Sequence, residues 1–107
     1  MLDIIIIGGG PAGLSASIYA KRAGLNAIIL DKGASECQLA KAAEVENYLG
    51  FSSINGIDLH SRFTEHAKSS EIKIIKKGVV ALEKIEEGFV VKTKPSGHGV
   101  HSAFNRK

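Results

Sequence analysis

The feature that most constrains this chain is a run of four isoleucines that leads into three consecutive glycines. Residues 4–7 are β-branched and show no polar alternation, which predicts a strand covered on both faces, as in a parallel sheet with helices above and below. Gly8, Gly10 and Gly13 follow with the spacing GxGxxG. Pro11 stands at the first position of the next predicted helix, where its missing N–H costs nothing. The pattern predicts a strand, a tight turn and a helix.

Each of the three spaced glycines has a separate predicted role in this turn. Gly8 permits the sharp turn out of the strand, Gly10 lets the backbone approach a pyrophosphate, and Gly13 lets the helix pack closely. The free amides of the first helical turn, with the positive end of the helix dipole, form an anion site. The turn is therefore predicted to bind the pyrophosphate of a dinucleotide.

A predicted second strand over 26–30 ends at Asp31, about twenty residues beyond the glycines, where a dinucleotide-binding fold carries its acidic residue. A carboxylate there would accept hydrogen bonds from the ribose hydroxyl groups of an adenosine and would repel a 2′-phosphate. Lys32 follows directly and is included in the predicted site. The alternative is that these are ordinary turn glycines of a βαβ unit, and the agreement of glycines, proline and acid favours the dinucleotide site.

Composition narrows the possible functions further. A chain of 107 residues with 44% hydrophobic and 23% charged residues is expected to form one globular domain. No apolar stretch is long enough to cross a bilayer and no leader pattern is visible, so we expect a cytoplasmic protein without a membrane partner. The net charge is +3, and Arg106 and Lys107 supply two of these charges, so we expect no nucleic-acid partner.

The cysteine and histidine residues do not predict a catalytic or metal site. Cys37 is the only cysteine, which excludes an internal disulfide or a CxxC pair within these 107 residues, and we interpret it as a bystander thiol. His60 and His66 are six residues apart on a predicted helix, a spacing that does not place them on one face as a metal pair would require. We expect both to be solvated. His98 and His101 lack carboxylate or cysteine neighbours. We therefore assign no catalytic residue and no metal ligand.

The rest of the chain predicts a long loop, a helix and a small antiparallel unit. The loop over 32–55 is polar and contains one or two possible helical turns within 38–44. The remaining predicted elements are a helix over 55–70 capped by Asn55, a strand over 72–76 and a β-hairpin of strands over 78–86 and 89–94. We predict a domain over 1–94 and a flexible tail over 95–107.

Beyond the glycine turn and Asp31, three later segments carry a resemblance to a known family. These are Gln38-Leu39, the stretch EVENYLGF over 44–51, and the helix over 56–67. With them, the sequence resembles the N-terminal part of the FAD domain of thioredoxin reductases and related pyridine nucleotide-disulfide oxidoreductases. The resemblance implies a partial Rossmann-like FAD/NAD(P)-binding domain, an α/β fold with a parallel sheet and a small β-hairpin.

The resemblance also implies FAD as the cofactor and places residues around it. Pro11 and Ala12 join the glycines around the pyrophosphate, and Asp31 holds the adenosine ribose. Gln38, Leu39 and Asn47 lie along the ribityl and flavin side. Val79 or Val80 meets the adenine through backbone groups. Asp31 replaces the more frequent Glu of the family, which keeps the charge and shortens the reach.

The resemblance covers about the first third of such an enzyme and does not extend to the NADPH domain or its CxxC pair. We therefore expect the FAD-binding portion of a thioredoxin reductase-like oxidoreductase, without disulfide reductase turnover of its own. The alternatives are a non-catalytic module that binds ADP or NAD, and a truncated remnant. Because the family's later strand beside residues 4–7 is missing here, we expect an apolar edge and face that a homo-oligomer or partner chain covers.

Overall fold

The computed structural model describes residues 1–33 and 38–94, together with the backbone of a strand near the C-terminus. The elements in chain order are strand β1 (Ile4–Ile7), helix α1 (Pro11–Arg22), strand β2 (Ala27–Asp31), helix α2 (Gln38–Lys41), helix α3 (Gly56–Ser69) and strands β3 (Lys73–Lys76), β4 (Val79–Ile85), β5 (Gly88–Thr93) and β6 (Ala103–Arg106). The predicted α/β fold is confirmed, and the predicted helices and strands are present with ends that differ by at most three residues.

The first three strands form a parallel sheet with the strand order β1-β2-β3. In this register, Ile4 is opposite Ala27 and Ile28 is opposite Lys73. Helix α1 connects β1 to β2, and α3 lies on the connection from β2 to β3. Parallel neighbours need such crossover connections. The carboxyl ends of β1 and β2 therefore lie side by side, which brings the glycine turn next to Asp31.

The sheet is covered on both faces, as the isoleucine run predicts. On one face, Leu14 of α1 and Ala67 of α3 pack with Ile29 of β2. On the other face, Ile28 and Leu30 pack against Val91 of β5. The expectation of helices on both faces is therefore wrong, because an antiparallel sheet covers the second face. A continuous apolar strand shows that both faces are buried, but it does not show which type of element covers each.

The covering sheet has the strand order β4-β5-β6. The predicted hairpin of β4 and β5 is present, and β6 pairs antiparallel with β5, with Ala103 opposite Lys92. The sequence predicts no strand over residues 103–106, because this short segment follows a stretch with glycines and a proline and has no clear strand pattern of its own. The edge of β5 provides its hydrogen-bonding partners. The rest of the predicted tail lies outside the described residues.

Local signals set the ends of the two longer helices. Beyond α1, Gly24 has a φ of 77°, and the Leu25 N–H donates to the carbonyl of Ala20, which terminates the helix in a left-handed cap. At the start of α3, the side chain of Asn55 accepts a hydrogen bond from the Asp58 N–H at 3.1 Å. The predicted cap at Asn55 is confirmed. No helix among the described residues is long and apolar enough to cross a membrane.

The connection between α2 and α3 is a loop held against α3. Val45 and Ile54 form an isolated antiparallel bridge that closes the loop. The ring of Tyr48 lies 5.2 Å from that of Phe63 on α3, and Arg62 of α3 stacks over Phe51 at 5.2 Å. The position of this loop is thus fixed by aromatic contacts to α3.

Candidate functional site

The glycine turn between β1 and α1 has the geometry that its spacing predicts. Gly8 has a φ of 109°, in the region that favours glycine. A Cβ on Gly13 would overlap the carbonyl oxygen of Gly8 and would lie 3.1 Å from a methyl group of Ile6. Gly13 is therefore required because α1 packs directly on the turn, and Gly8 is required by its backbone conformation.

Gly9 is a site residue that the sequence analysis missed. It is buried, and its N–H donates to Oδ1 of Asp31 at 3.0 Å. A Cβ on Gly9 would lie 2.9 Å from Cγ of Asp31, so the carboxylate packs against a bare backbone. The available signal was the middle one of the three consecutive glycines, which the GxGxxG spacing leaves unassigned. Asp31 thus stabilises the turn directly and lies beside it, as the spacing predicts.

His60 of α3 also contacts this turn, at the carbonyl group of Gly9. Its side chain is only 6% exposed, and Nε2 lies 2.7 Å from the carbonyl oxygen of Gly9. The expectation of two solvated histidines is wrong for His60, whereas His66 is exposed. His60 lies one position beyond the buried Leu59, at the border of the apolar face of α3, and only the packing of α3 against the turn shows that it is buried.

Helix α2 forms a second side of the site and is positioned by Gly56. The Gly56 N–H donates to the carbonyl of Ala42 at 3.0 Å, and a Cβ on Gly56 would overlap the carbonyl oxygen of Leu39. The backbone of α2 therefore lies in contact with the first turn of α3. This contact brings Gln38 and Leu39 to the site, which they could not reach from local structure alone.

These elements enclose a cavity of about 370 Å³. The predicted site residues that line it are Gly8, Gly10, Pro11, Asp31, Lys32, Gln38, Leu39 and Val79. Ile7, Gly9, Leu30 and Lys77 complete the lining. Gly10 is the N-cap of α1 and has no side chain that could accept hydrogen bonds from the first amides of this helix. These amides can therefore donate to a ligand. One carboxylate and two ammonium groups border the cavity, a combination that suits a ligand with both hydroxyl and phosphate groups.

The other four predicted site residues lie outside this lining. Ala12 is exposed on α1, and Gly13 packs against the turn. Asn47 lines a separate open depression formed by residues 46–52. Val80 is 50% exposed on β4. Their predicted contacts with a cofactor stay predictions. Cys37, interpreted as a bystander, lies outside the described residues.

A larger groove of about 590 Å³ lies between α1 and α3, lined in part by Tyr19, Tyr48 and Phe63. It has none of the turn glycines and no carboxylate in its lining. The smaller cavity at the turn is therefore the candidate cofactor site. Within the described residues, no group of three or more His, Cys, Asp or Glu side chains is arranged to hold a metal ion.

Comparison with known proteins agrees with this geometry. The family described as FAD binding domain matches residues 3–50, the segment that contains β1, the glycine turn, α1, β2 and α2. The crystal structure of Lactococcus lactis thioredoxin reductase matches 100% of this chain with a TM-score of 0.89 and 27% sequence identity. The chain resembles the N-terminal part of the FAD domain of thioredoxin reductases.

Two further thioredoxin reductases support this assignment. The enzyme of Bacillus subtilis is 47% identical over 66 residues, which is 62% of this chain and 21% of the relative. The crystal structure of T. acidophilum thioredoxin reductase has a TM-score of 0.85 and 37% identity over 99% of this chain. The chain spans 33% of each of the two solved chains. The family match and the thioredoxin reductase relatives indicate FAD as the cofactor.

The residues of the cavity fit the adenosine diphosphate half of FAD. The turn supplies bare backbone and free helix amides for a pyrophosphate, and Asp31 supplies a carboxylate for a ribose. The fold is that of a partial Rossmann-like domain in which the crevice lies at the carboxyl ends of the parallel strands. The location of the cavity is therefore the one expected for a dinucleotide in this thioredoxin reductase-like fold.

Proposed function

We propose that this chain is the FAD-binding part of a thioredoxin reductase-like flavin-dependent oxidoreductase, and that it functions in the cytoplasm. The observation that carries the proposal is the cavity in which the glycine turn, the N-terminus of α1 and Asp31 meet. The relatives contain this segment as a minor part of their length. We therefore propose the oxidoreductase activity for a whole enzyme that contains this segment.

The turn and the start of α1 bind the pyrophosphate. The amides of the first helical turn donate to the phosphate oxygens, and the helix dipole adds a favourable field. Gly10 lets the phosphates approach the main chain because it has no Cβ. Lys32 and Lys77 at the border of the cavity add positive charge near this anion.

Asp31 binds the ribose of the adenosine. One of its oxygens, Oδ1, already accepts the Gly9 N–H, which fixes the orientation of the carboxylate. Oδ2 can then accept hydrogen bonds from the ribose hydroxyl groups. Hydrogen bonds to a charged acceptor contribute about 1.5–3 kcal/mol each, so this contact adds substantially to affinity.

Gln38 and Leu39 of α2 continue the site toward the flavin, and Val79 or Val80 contacts the adenine through the backbone. FAD, when bound, supplies the chemistry of accepting and passing on electrons. The residues of this chain bind and orient it, and we assign none of them a catalytic role. Transfer to a disulfide needs a thiol pair, and the 107 residues contain one cysteine. We therefore expect no NADPH-dependent disulfide reduction by this chain alone.

The first test is the absorbance spectrum of the purified chain before and after incubation with FAD, followed by titration calorimetry with FAD, ADP and NAD. We expect flavin absorbance that remains with the protein on gel filtration. Gly10→Val is expected to abolish binding, because its side chain blocks the approach of the pyrophosphate to the backbone. Ala16→Val is the control, since it places a valine side chain on the exposed face of α1.

The alternatives correspond to different outcomes of the same titrations. A colourless protein that binds ADP or NAD but not FAD would indicate a non-catalytic adenine-dinucleotide module. A folded protein that binds none of the three would indicate a remnant. Equal FAD affinity of the wild type and a folded Gly10→Val variant would remove the glycine turn from the site.

We further propose that a second copy or a partner chain completes the parallel sheet at β1. Among the described residues β1 pairs only with β2, and Ile7 is 54% exposed. The N–H groups of Ile4 and Gly8 donate toward β2, so those of Ile5 and Ile7 point to the open edge. Natural proteins rarely leave such an apolar edge in water.

Sedimentation velocity at micromolar concentration tests the completed edge. We expect an oligomer, and Ile7→Lys should shift it toward monomer because a charged edge residue opposes strand pairing. Ile57→Lys on α3 is the control, since Ile57 is 60% exposed and far from the edge in sequence. A soluble wild-type monomer would contradict the proposal.

A further inference from the structure

We propose that His60 is a positioning residue of the dinucleotide turn. Its imidazole holds the Gly9–Gly10 peptide in the orientation that directs the Gly10 N–H into the cavity at the turn. This inference rests on the proposed function, because it assigns His60 a role in binding the pyrophosphate of the same ligand. His60 itself touches the turn and is not in the lining of that cavity.

The hydrogen bond between His60 and Gly9 has one possible direction. A carbonyl oxygen only accepts, so Nε2 of His60 carries the hydrogen and donates it. The distance is 2.7 Å, His60 is 6% exposed, and Gly9 is buried. Because water has little access to this contact, the bond strongly restrains the orientation of the carbonyl.

Planarity of the peptide transmits this restraint to Gly10. In a trans peptide, the carbonyl of one residue and the N–H of the next point in opposite directions. With the Gly9 carbonyl directed at His60, the Gly10 N–H is directed away from α3. The positions of two cavities are consistent with this arrangement. His60 lines a cavity of about 300 Å³, whereas Gly10 lines the candidate cofactor cavity of about 370 Å³. Gly9 and Asp31 border both.

The restraint matters because the turn consists of three consecutive glycines, which have large conformational freedom. Asp31 holds the N–H of Gly9 at 3.0 Å, and His60 holds its carbonyl at 2.7 Å. Both peptides that flank Gly9 are thus fixed before a ligand binds. An oriented amide donates to phosphate without the entropic cost of ordering the turn.

Three variants separate this role from general stability. His60→Met removes the donor and leaves the buried carbonyl without it. His60→Gln retains an N–H donor on a side chain of similar reach. His66→Met is the matched control, because His66 is an exposed histidine on the same helix. Thermal unfolding of each variant establishes that it is folded under the conditions of the binding measurement.

The first readout is affinity for ADP and for adenosine, measured by calorimetry and by NMR titration. We expect His60→Met to weaken ADP binding about tenfold, and His60→Gln and His66→Met to stay within about twofold of wild type. Adenosine affinity should not change in His60→Met, since adenosine has no phosphate. Equal losses for both ligands would show that His60 only maintains the fold, and would overturn the proposal.

The second readout needs no ligand. The ¹H and ¹⁵N chemical shifts of the Gly10 amide should move in His60→Met and return toward the wild-type values in His60→Gln. If the wild type binds no ADP, the proposed function fails and the ligand role of His60 fails with it. If the wild type binds ADP and His60→Met has the same affinity and the same Gly10 shifts, only the proposal for His60 is overturned.

Discussion

The two sides of the candidate site are held in different ways. The turn side consists of Gly8–Gly10 and Asp31, and its shape follows from a positive φ, close backbone contacts and a hydrogen bond from Gly9 to Asp31. The α2 side carries Gln38 and Leu39 on a four-residue helix with no buried residue. Contact with α3 at Gly56 positions it. Local backbone constraints, together with the pairing of β1 and β2 that brings Asp31 to Gly9, thus determine the turn side, whereas docking on α3 determines the α2 side.

The largest expected effect is that of Gly13→Ala on the turn side. In a helix interior, alanine is more favourable than glycine by about 1 kcal/mol. Here the Cβ of the new alanine would overlap the Gly8 carbonyl and force α1 away from the turn, so the substitution is expected to destabilise the protein despite the helix preference for alanine. We expect a net loss of about 2 kcal/mol in the free energy of unfolding and loss of ADP binding. Urea denaturation and calorimetry measure both.

Ser15→Ala is the control for this change, because Ser15 is exposed on the same helix. It should leave ADP affinity unchanged and alter stability by only a few tenths of a kcal/mol. A Gly13→Ala variant that is more stable than wild type would show that the contact between α1 and the turn can relax easily.

Asp31→Asn tests the turn side through charge alone. The amide keeps an oxygen for the Gly9 N–H, but an NH2 group replaces the charged oxygen that we propose accepts hydrogen bonds from the ribose. We expect ADP binding to weaken by about 1–3 kcal/mol. Asp58→Asn, on the first turn of α3, removes the same charge outside the cavity and should not affect ADP affinity. Unchanged ADP affinity of Asp31→Asn would remove Asp31 from the site.

Gly56→Ala tests the α2 side and leaves the turn intact. Its Cβ would overlap the Leu39 carbonyl, so α2 must shift. If Gln38 and Leu39 contact only the flavin side, FAD affinity should fall about tenfold, or about 1.4 kcal/mol, while ADP affinity stays unchanged. A matched loss for both ligands would show that the two sides of the site are coupled. Separate titrations of FAD and of ADP into samples of the same protein preparation give the ratio of the two affinities.

The smallest expected effect is that of Asn55→Ala at the start of α3. It removes the hydrogen bond to the Asp58 N–H at 3.1 Å and should cost about 1 kcal/mol of stability. Since Asn55 only caps the start of the helix that supports α2, ligand affinities should change by less than about twofold. A larger loss of FAD than of ADP affinity would show that fraying of α3 reaches α2. Thermal unfolding, with exposed Ser69→Ala as control, measures the stability change.

The parts of this protein that depend on local conformation could be predicted from the residue pattern. Neighbours along the chain explain the isoleucine strand, the positive φ at Gly8 and the close packing at Gly13. They explain the helix caps at Gly24 and Asn55 as well. Such features are encoded in short-range steric and hydrogen-bonding preferences, and these act within a few residues.

Which surfaces of the elements meet could not be predicted from the residue pattern and is visible only in the folded chain. The antiparallel sheet that covers β2, the docking of α2 at Gly56 and the burial of His60 against Gly9 each join segments far apart in sequence. A histidine on a helix has the same local propensity whether it faces water or a carbonyl group. Its role is set by the packing of α3 against the turn, because burial and hydrogen-bond partners depend on contacts between segments and not on residue type.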